Sequence, residues 1–416
     1  MHVTGRNPLS LRWQRGDPFH NGHLFHIRRA REVAGADFLI VLMSGSFVQR
    51  GAPAIFDKYS RARAALLCGA DVVAEMPVTF STASAREFAS YGIALFTALG
   101  AVDSICFGSE CGEIGPLFQT ARLLAQEPEG FKEALGNALR QGKTYPEARA
   151  AALSSFLPGS DLLSTPNNIL GIEYCQAVLR QNSPLSCLTI KREGSGYHDS
   201  SISGTLGSAL AVRSALEEQV PAPHLASLVP PCTMESIKKD VPVFLNDFSS
   251  LLNYRLLTEK QPEQYAELKP ELASRIRKLS PSPASFDERI KELKSRQFTY
   301  TGISRALLHL VLGVRADAAE DLKAAGYAPY ARILGFRKSA APVLKKIKAN
   351  SAIPVITKLA GAEKKLDPRA ASMLALEIQS SHLYQSVRLE KAAWGRAGGK
   401  TAVFQNEYTQ PVAVIS

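Results

Sequence analysis

Several absences narrow the reading first. The chain has 416 residues and six cysteines, Cys68, Cys106, Cys111, Cys175, Cys187 and Cys232, and no two of them make a CxxC pair. That scatter removes zinc-ribbon and dithiol-oxidoreductase patterns and fits reduced thiols in a cytoplasmic protein. No apolar run approaches the roughly 20 residues a membrane helix needs, and the basic start lacks the apolar stretch of a secretory leader. The expectation is therefore a cytoplasmic chain with no membrane partner. Repeats and low-complexity tracts are missing, which excludes solenoids and disordered linkers as the main architecture. No carboxylate cluster marks a resident metal site. Acidic residues are the scarcer charge: 38 Asp and Glu against 49 Lys and Arg leave a net +11, which favours a polyanionic partner.

What is present begins with alternating strand and helix signals. Phe38-Leu39-Ile40-Val41-Leu42-Met43 is a continuous apolar run that suits a strand buried on both faces. Val72 to Pro77, Ser104 to Gly108 and Leu185 to Ile190 are shorter strand signals. Amphipathic helices are expected over Leu24 to Ala34, Asp57 to Cys68, Ala83 to Leu99 and Ile169 to Leu179. Strands separated by helices at crossover length argue for a parallel α/β sheet. Residues 6 to 16 are basic and carry no buried-strand pattern, although a strand is expected just before a phosphate-binding turn.

Asp17-Pro18-Phe19-His20-Asn21-Gly22-His23-Leu24-Phe25-His26 is the stretch with most chemistry. It places two imidazoles three residues apart at a helix start. If Gly22 and His23 open that helix, its first free backbone N–H groups and both rings could face one phosphate chain. A His-x-Gly-His string is weak by itself. Further along, Ser44 to Gly51 is a polar loop after a strand, and Gly194-Ser195-Gly196-Tyr197-His198-Asp199 is a glycine-rich loop with a His-Asp pair.

Five prolines between residues 221 and 242 mark a candidate boundary. Beyond it helix signals dominate, among them Phe244 to Leu257, Glu263 to Lys269, Glu271 to Leu279, Phe286 to Arg296 and Ile303 to Leu312. Arg296 to Lys365 holds 13 Lys and Arg against 4 Asp and Glu, so most of the net charge is local. Such a block is either a solvated face or an electrostatic footprint for a phosphate backbone.

Taken together, collinear segments resemble the tRNA(Met) cytidine acetate ligase family, within the His-x-Gly-His nucleotidyltransferase superfamily. They are Pro18-Phe19-His20-Asn21-Gly22-His23, Val41 to Gly51, Ile55-Phe56-Asp57-Lys58, Phe107-Gly108-Ser109-Glu110, Ser164 to Gly171 and Ile190-Lys191-Arg192 with Gly196 to Asp199. Ser304 to His309, Tyr330 to Phe336 and Pro354 to Lys358 continue the series. The resemblance implies an α/β fold with a parallel, Rossmann-like nucleotidyltransferase sheet, and a mainly helical, basic C-terminal domain. The expected division is residues 1–218 for catalysis and 219–416 for tRNA. It also implies an ATP-dependent ligase that activates acetate as acetyl-adenylate and acetylates N4 of the wobble cytidine of elongator tRNA(Met). ATP is the co-substrate, with Mg²⁺ as its possible companion.

The ATP contacts implied are Asp17, Pro18, Phe19, His20, Asn21, Gly22, His23, Leu24, Phe25, His26, Gly108, Asn167, Asn168 and Arg192, with His20 and His23 as the catalytic pair. Gly22 and Gly108 would admit the nucleotide closely. Asn167 and Asn168 could read a base edge or cap the following helix. Ser44, Gln49, Arg50 and Asp57-Lys58 are candidates for the acetate or cytidine side, and Arg213 for a phosphate. For tRNA the candidates are Arg305, Arg332, Lys345, Lys346, Lys348 and Lys358. The chain departs from the family pattern where Gln14-Arg15-Gly16-Asp17 replaces an acidic-aromatic-Asn lead-in, and at Leu210, where a hydroxyl is usual. Two alternatives stay open at this point: a small-molecule nucleotidyltransferase, and a tRNA-binding homologue whose altered N-terminus impairs catalysis.

Overall fold

The computed structural model describes residues 9–14, 17–157, 161–192 and 209–416. The His198-Asp199 pair, the rest of the glycine-rich loop and Thr205 lie outside the described residues. The described strands are β1 (Leu9–Gln14), β2 (Phe38–Ser44), β3 (Phe47–Val48), β4 (Ala52–Pro53), β5 (Val72–Met76), β6 (Ser104–Ser109), β7 (Ser186–Lys191), β8 (Ala331–Arg337), β9 (Val355–Ile356) and β10 (Ala413–Ile415). One sheet runs β10-β8-β5-β2-β1-β6-β7 with β9 beside β8, and β3 and β4 form a separate hairpin. Strands β7, β6, β1, β2 and β5 are parallel to their neighbours. β8 lies antiparallel to β5.

The poorly written lead-in is thus a central strand. β1 pairs with β2 from Leu9↔Phe38 to Gln14↔Met43 and with β6 from Ser10↔Ser104 to Arg12↔Cys106. Its register is imposed from both sides, so tertiary pairing overrides a weak local signal.

Alternation along β2 explains why the sheet is covered on both faces. Leu39, Val41 and Met43 pack with Phe19, and with Ile27 and Ala30 of helix α1 (Asn21–Ala34). Ala62, Ala65 and Leu66 of helix α2 (Lys58–Leu67) join the same cluster. Ile40 and Leu42 point the other way, into a core with Phe88 and Phe96 of helix Ala85–Ala98 and Ile172 and Tyr174 of helix Pro166–Arg180. Each such side chain contributes roughly 1.5–3 kcal/mol by leaving water. Helix Pro166–Arg180 sits close on β6 because position 171 is glycine; a Cβ there would lie 2.7 Å from the Phe107 ring.

The chain passes from β1 outward through β2 to β5, then returns to place β6 on the other side of β1. This reversal creates a crevice at the carboxyl ends of β1 and β6, where ligands bind in open parallel sheets. The first turn of α1 opens there.

The second half is mainly helical, with its own core. Leu252 of helix Ser249–Thr258, Ile290 of helix Phe286–Leu293 and Leu307 of helix Tyr300–Leu312 pack with Phe47 and Tyr384. It also returns to the sheet, supplying β8, β9 and β10, so the expected border at 218/219 does not follow the edge of the sheet. The helix expected over Glu263 to Lys269 is only a 3-10 turn, Pro262–Gln264. Glu267 has φ 63°, which a helix does not accommodate.

Candidate active site

The α1 start is organised by its histidines. His20 is the N-cap residue, and its Nδ1 accepts the N–H of Gly22 at 3.0 Å. The backbone N–H of His20 in turn donates to Nδ1 of His23 at 3.2 Å. An imidazole nitrogen that accepts a hydrogen bond carries no proton, so in the neutral ring the proton resides on Nε2. Both histidines are therefore held as Nε2 donors. Their ring centroids lie 3.9 Å apart, and both line one cavity.

One expectation is corrected by this geometry. The first backbone donors of α1 are not free: Gly22 N–H is taken by His20, and Asn21 N–H donates to Leu228 O at 2.9 Å. Anion recognition at this helix start therefore falls to side chains. Gly22 also serves the cap, since a Cβ there would lie 2.7 Å from Cε1 of His20.

The same cavity is lined by Asp17, Val48, Arg50, Asn167, Arg192, Leu210 and Arg213. Three arginines and two imidazole donors around one space make an anion site of high donor density. Arg192 follows directly on β7, and its N–H donates to Ser109 O at 2.9 Å. Gly108 lets two side chains converge, because its Cβ would lie 3.3 Å from both Arg192 Cγ and His26 Cδ2. Asp17 is buried; Oδ1 accepts the Ile55 N–H at 2.5 Å, and its other oxygen pairs with Arg213. Burial lowers the Arg213 pKa to about 10.

The remaining residues of the opening stretch form its frame. Phe19 is buried in the α1 core and its ring lies 5.4 Å from that of His23. Asn21 Nδ2 donates to Ser227 O at 2.8 Å. Leu24 and Phe25 pack against the same core. Pro18 and His26 are buried beside them.

Of the two asparagines, Asn168 ties down the loop after β6: its Oδ1 accepts from the N–H groups of Glu110 and Cys111 at 3.0 and 3.1 Å. Glu110 returns the favour to the helix start, accepting from Asn168 N at 2.7 Å and from Asn167 Nδ2 at 2.6 Å. A carboxylate already answers that helix dipole. Glu110 was invisible as a cap because its partners lie more than fifty residues away.

The Ser44–Gly51 loop after β2 is fixed by distant residues. Ser81 Oγ donates to Phe47 O at 2.9 Å, and Ser304 Oγ donates to Gly51 O at 2.8 Å. Tyr384 donates to Ala54 O at 2.9 Å. His309 is buried against Thr82 and the Ala266 carbonyl, and burial lowers its pKa. The family-like Ser304 to His309 segment thus acts as a support for this loop.

Lys58 does not line the cavity. It is buried, with Nζ 2.6 Å from Glu75, 3.1 Å from Glu407 and 3.4 Å from Glu377. Arg332 joins the network, 2.8 Å from Glu75 and 2.6 Å from Glu407. Only 5% of its side chain is exposed, so its assignment to tRNA is corrected: β8 carries it into the interior. Arg305 is mostly buried and pairs with Glu267 at 3.4 Å. Lys345, Lys346 and Lys348 project from helix Ala341–Asn350 into solvent, and Lys358 is exposed. Ser44 and Gln49 are buried.

Comparison with known proteins gives the family. A family model described as HIGH Nucleotidyl Transferase matches residues 17–396, which gives the class: a nucleotidyltransferase built around the His20-Asn21-Gly22-His23 signature. The tRNA(Met) cytidine acetate ligase of Acetivibrio thermocellus is 34% identical over 413 residues, covering 96% of this chain and 98% of its own length. That of Clostridium novyi is 36% identical over 381 residues, covering 89% and 93%. Crystal structures of Thermotoga maritima TmcAL, 28% identical, cover 99% of this chain and 100% of their own. The TM-scores are 0.88 for the apo form and 0.86 for the form bound with alpha-thio ATP. The chain belongs to the tRNA(Met) cytidine acetate ligase family, and it is an enzyme of that ligase class.

Proposed function

We propose that the cavity at the α1 start binds ATP and that the protein uses it to acetylate elongator tRNA(Met). The observation that carries this reading is the pair of histidines held as Nε2 donors beside Arg192 in one cavity. Acetate attacks the α-phosphorus, a new O–P bond forms, and pyrophosphate leaves as the old one breaks. Negative charge grows on the phosphoryl oxygens, and donors already aimed at it lower that barrier most. His20, His23 and Arg192 supply those donors. N4 of the wobble cytidine then attacks the acetyl carbon of acetyl-adenylate, AMP departs, and the amine loses a proton to solvent.

The wobble base must leave its stack to reach the acyl group. Residues 219–416 carry the tRNA, with Lys345, Lys346, Lys348 and Lys358 as exposed contacts to its phosphates. Among the described residues no group of three or more His, Cys, Asp or Glu side chains is placed to hold a metal ion. Mg²⁺ would accordingly enter on the ATP phosphates and be held mainly by them and water. The segment that runs up to the departure from the family pattern, Leu9–Gln14, forms β1 in register with β2, which favours catalysis over a binding-only homologue. The exposed lysines favour a tRNA substrate over a small molecule.

The test is incubation with labelled acetate, ATP and elongator tRNA(Met). Label on the wobble cytidine is expected, dependent on ATP and independent of acetyl-CoA. Label that stays off the tRNA while the protein binds ATP would overturn the reading.

A further inference from the structure

Away from the ATP cavity, two sulfurs from distant parts of the chain meet. Cys68 ends α2 and Cys232 lies in the first turn of helix Pro231–Lys239. Their Sγ atoms are 3.5 Å apart, and both residues are half-buried. They open onto a broad surface cavity, so a small solute can reach them. The other close thiols differ: Cys175, next to Cys187, is fully buried.

The surroundings favour one thiolate in the pair. Either sulfur can donate in this contact; with Cys68 as the donor, its S–H lowers the Cys232 pKa to about 7 against the opposing effect of burial, and the Thr233 N–H adds to the lowering. Arg28, Arg31 and Glu32 line the cavity from α1, Arg31 being paired with Asp71, and Arg337 lines it from β8. Glu235 is the acidic group on the Cys232 helix. The Ala64 carbonyl of α2 lies 3.9 Å from the Cys232 sulfur. The helix start and the Arg28 and Arg337 guanidinium groups favour a thiolate against the exposed Glu32 and Glu235 carboxylates.

We propose that Cys68 and Cys232 are a hydroperoxide-reactive dithiol, with Cys232 the attacking sulfur and Cys68 the resolving one. The Cys232 thiolate attacks the terminal oxygen of a hydroperoxide: an S–O bond forms, the O–O bond breaks, and the alcohol leaves with a proton from solvent. Cys68 then attacks the sulfenic sulfur; the S–S bond forms, the S–O bond breaks, and hydroxide leaves with the Cys68 proton as water. Two thiols lose two electrons in total, and the hydroperoxide is reduced to alcohol and water.

The bond would tie α2 to the segment that holds the nucleotide-site helix. Ser227 and Leu228, whose carbonyls hold Asn21 at the α1 start, lie just before the Cys232 helix. Closure therefore joins the active-site frame covalently across 164 positions of sequence.

The experiment exposes the full chain to graded hydrogen peroxide, blocks free thiols with N-ethylmaleimide and maps peptides by mass spectrometry without reduction. A Cys68–Cys232 linked peptide is expected before any other, removed by dithiothreitol. Its rate should rise about tenfold per pH unit below 7 and level off above it. In Cys68→Ser, dimedone should trap a sulfenic acid on Cys232; in Cys232→Ser, Cys68 should react at least tenfold more slowly. Both substitutions are half-exposed and near-isosteric, and circular dichroism checks their fold. Cys68 and Cys232 remaining maleimide-reactive at doses that oxidise Cys111 would overturn the proposal. So would a dimedone adduct that favours Cys68 over Cys232 in the single variants.

Discussion

Replacing Lys58 by Met tests how the interior of this enzyme is held together. Lys58, Arg332, Glu75, Glu377 and Glu407 bring two cations and three carboxyl groups into one buried cluster. Burial, and next the neighbouring Glu75, raise the Glu377 pKa well above the usual carboxylate range. Glu377 is therefore the carboxyl of the three that holds a proton most readily, and with it neutral two carboxylates stand against two cations. Burial pushes the Glu407 carboxyl up, but Lys58 and Arg332 outweigh it and bring its pKa to about 2.

Met fills much the same volume as Lys and removes one charge. One carboxylate then shares Arg332 with another or takes up a proton. Protonating a Glu of ordinary pKa at pH 7 costs about 1.36 kcal/mol for each of roughly 2.7 units, or about 3.7 kcal/mol. That sets a ceiling within the ~3–5 kcal/mol typical of breaking a buried ion pair. The loss should shrink by about 1.4 kcal/mol for each pH unit below 7, reaching near zero at about pH 4.5.

The sign follows from Glu407. A carboxyl depressed in the folded state stabilises above its unfolded pKa and loses that contribution as pH falls toward 2; Lys58→Met takes it away at neutral pH. Guanidinium unfolding of both proteins, followed by circular dichroism from pH 5 to 8, measures the difference. Lys58→Met/Glu75→Gln should recover at least about 1.5 kcal/mol, because charge is balanced again. A loss under about 1 kcal/mol at pH 7, or one independent of pH, would refute the charge-balance reasoning.

Other expectations concern the site itself. Gly22→Ala should displace the His20 ring, because the new methyl would lie 2.7 Å from Cε1; adenylate formation should fall about 100-fold while the melting temperature moves little. Asp17→Asn keeps an acceptor for Ile55 N–H but releases Arg213 from its counter-charge; ATP should bind about threefold to tenfold tighter by calorimetry, with a steeper salt dependence. Lys345→Glu/Lys346→Glu should weaken tRNA(Met) affinity at least tenfold in filter binding and leave ATP affinity unchanged. Unchanged tRNA binding would make those lysines a solvated face.

The sequence carried the buried strands well because their signal is local. Phe38 to Met43 has no polar interruption, and β2 ends one residue later, at Ser44. β1 was not legible, since Ser10, Arg12 and Gln14 break its apolar pattern and its place depends on pairing with β2 and β6. β8 was hidden for a related reason. Arg332 sits within it and reads as surface charge until Glu75 and Glu407, 257 and 75 positions away, are brought beside it. In the site, His20 and His23 were legible from spacing, but their roles as Nδ1 acceptors were not; these arise from the cap geometry. Glu110 shows the same limit, because its function is set by helix Pro166–Arg180 arriving from elsewhere.

The central claim is that the His20–His23 cavity activates acetate on ATP. Acetate-dependent exchange of labelled pyrophosphate into ATP, without tRNA, measures that step alone. The wild-type chain should catalyse it, and His23→Ala should lower it by about 100-fold or more while tRNA(Met) affinity stays within twofold. Exchange that is undetectable in a wild-type chain that binds ATP, or equal in wild type and His23→Ala, would contradict the account.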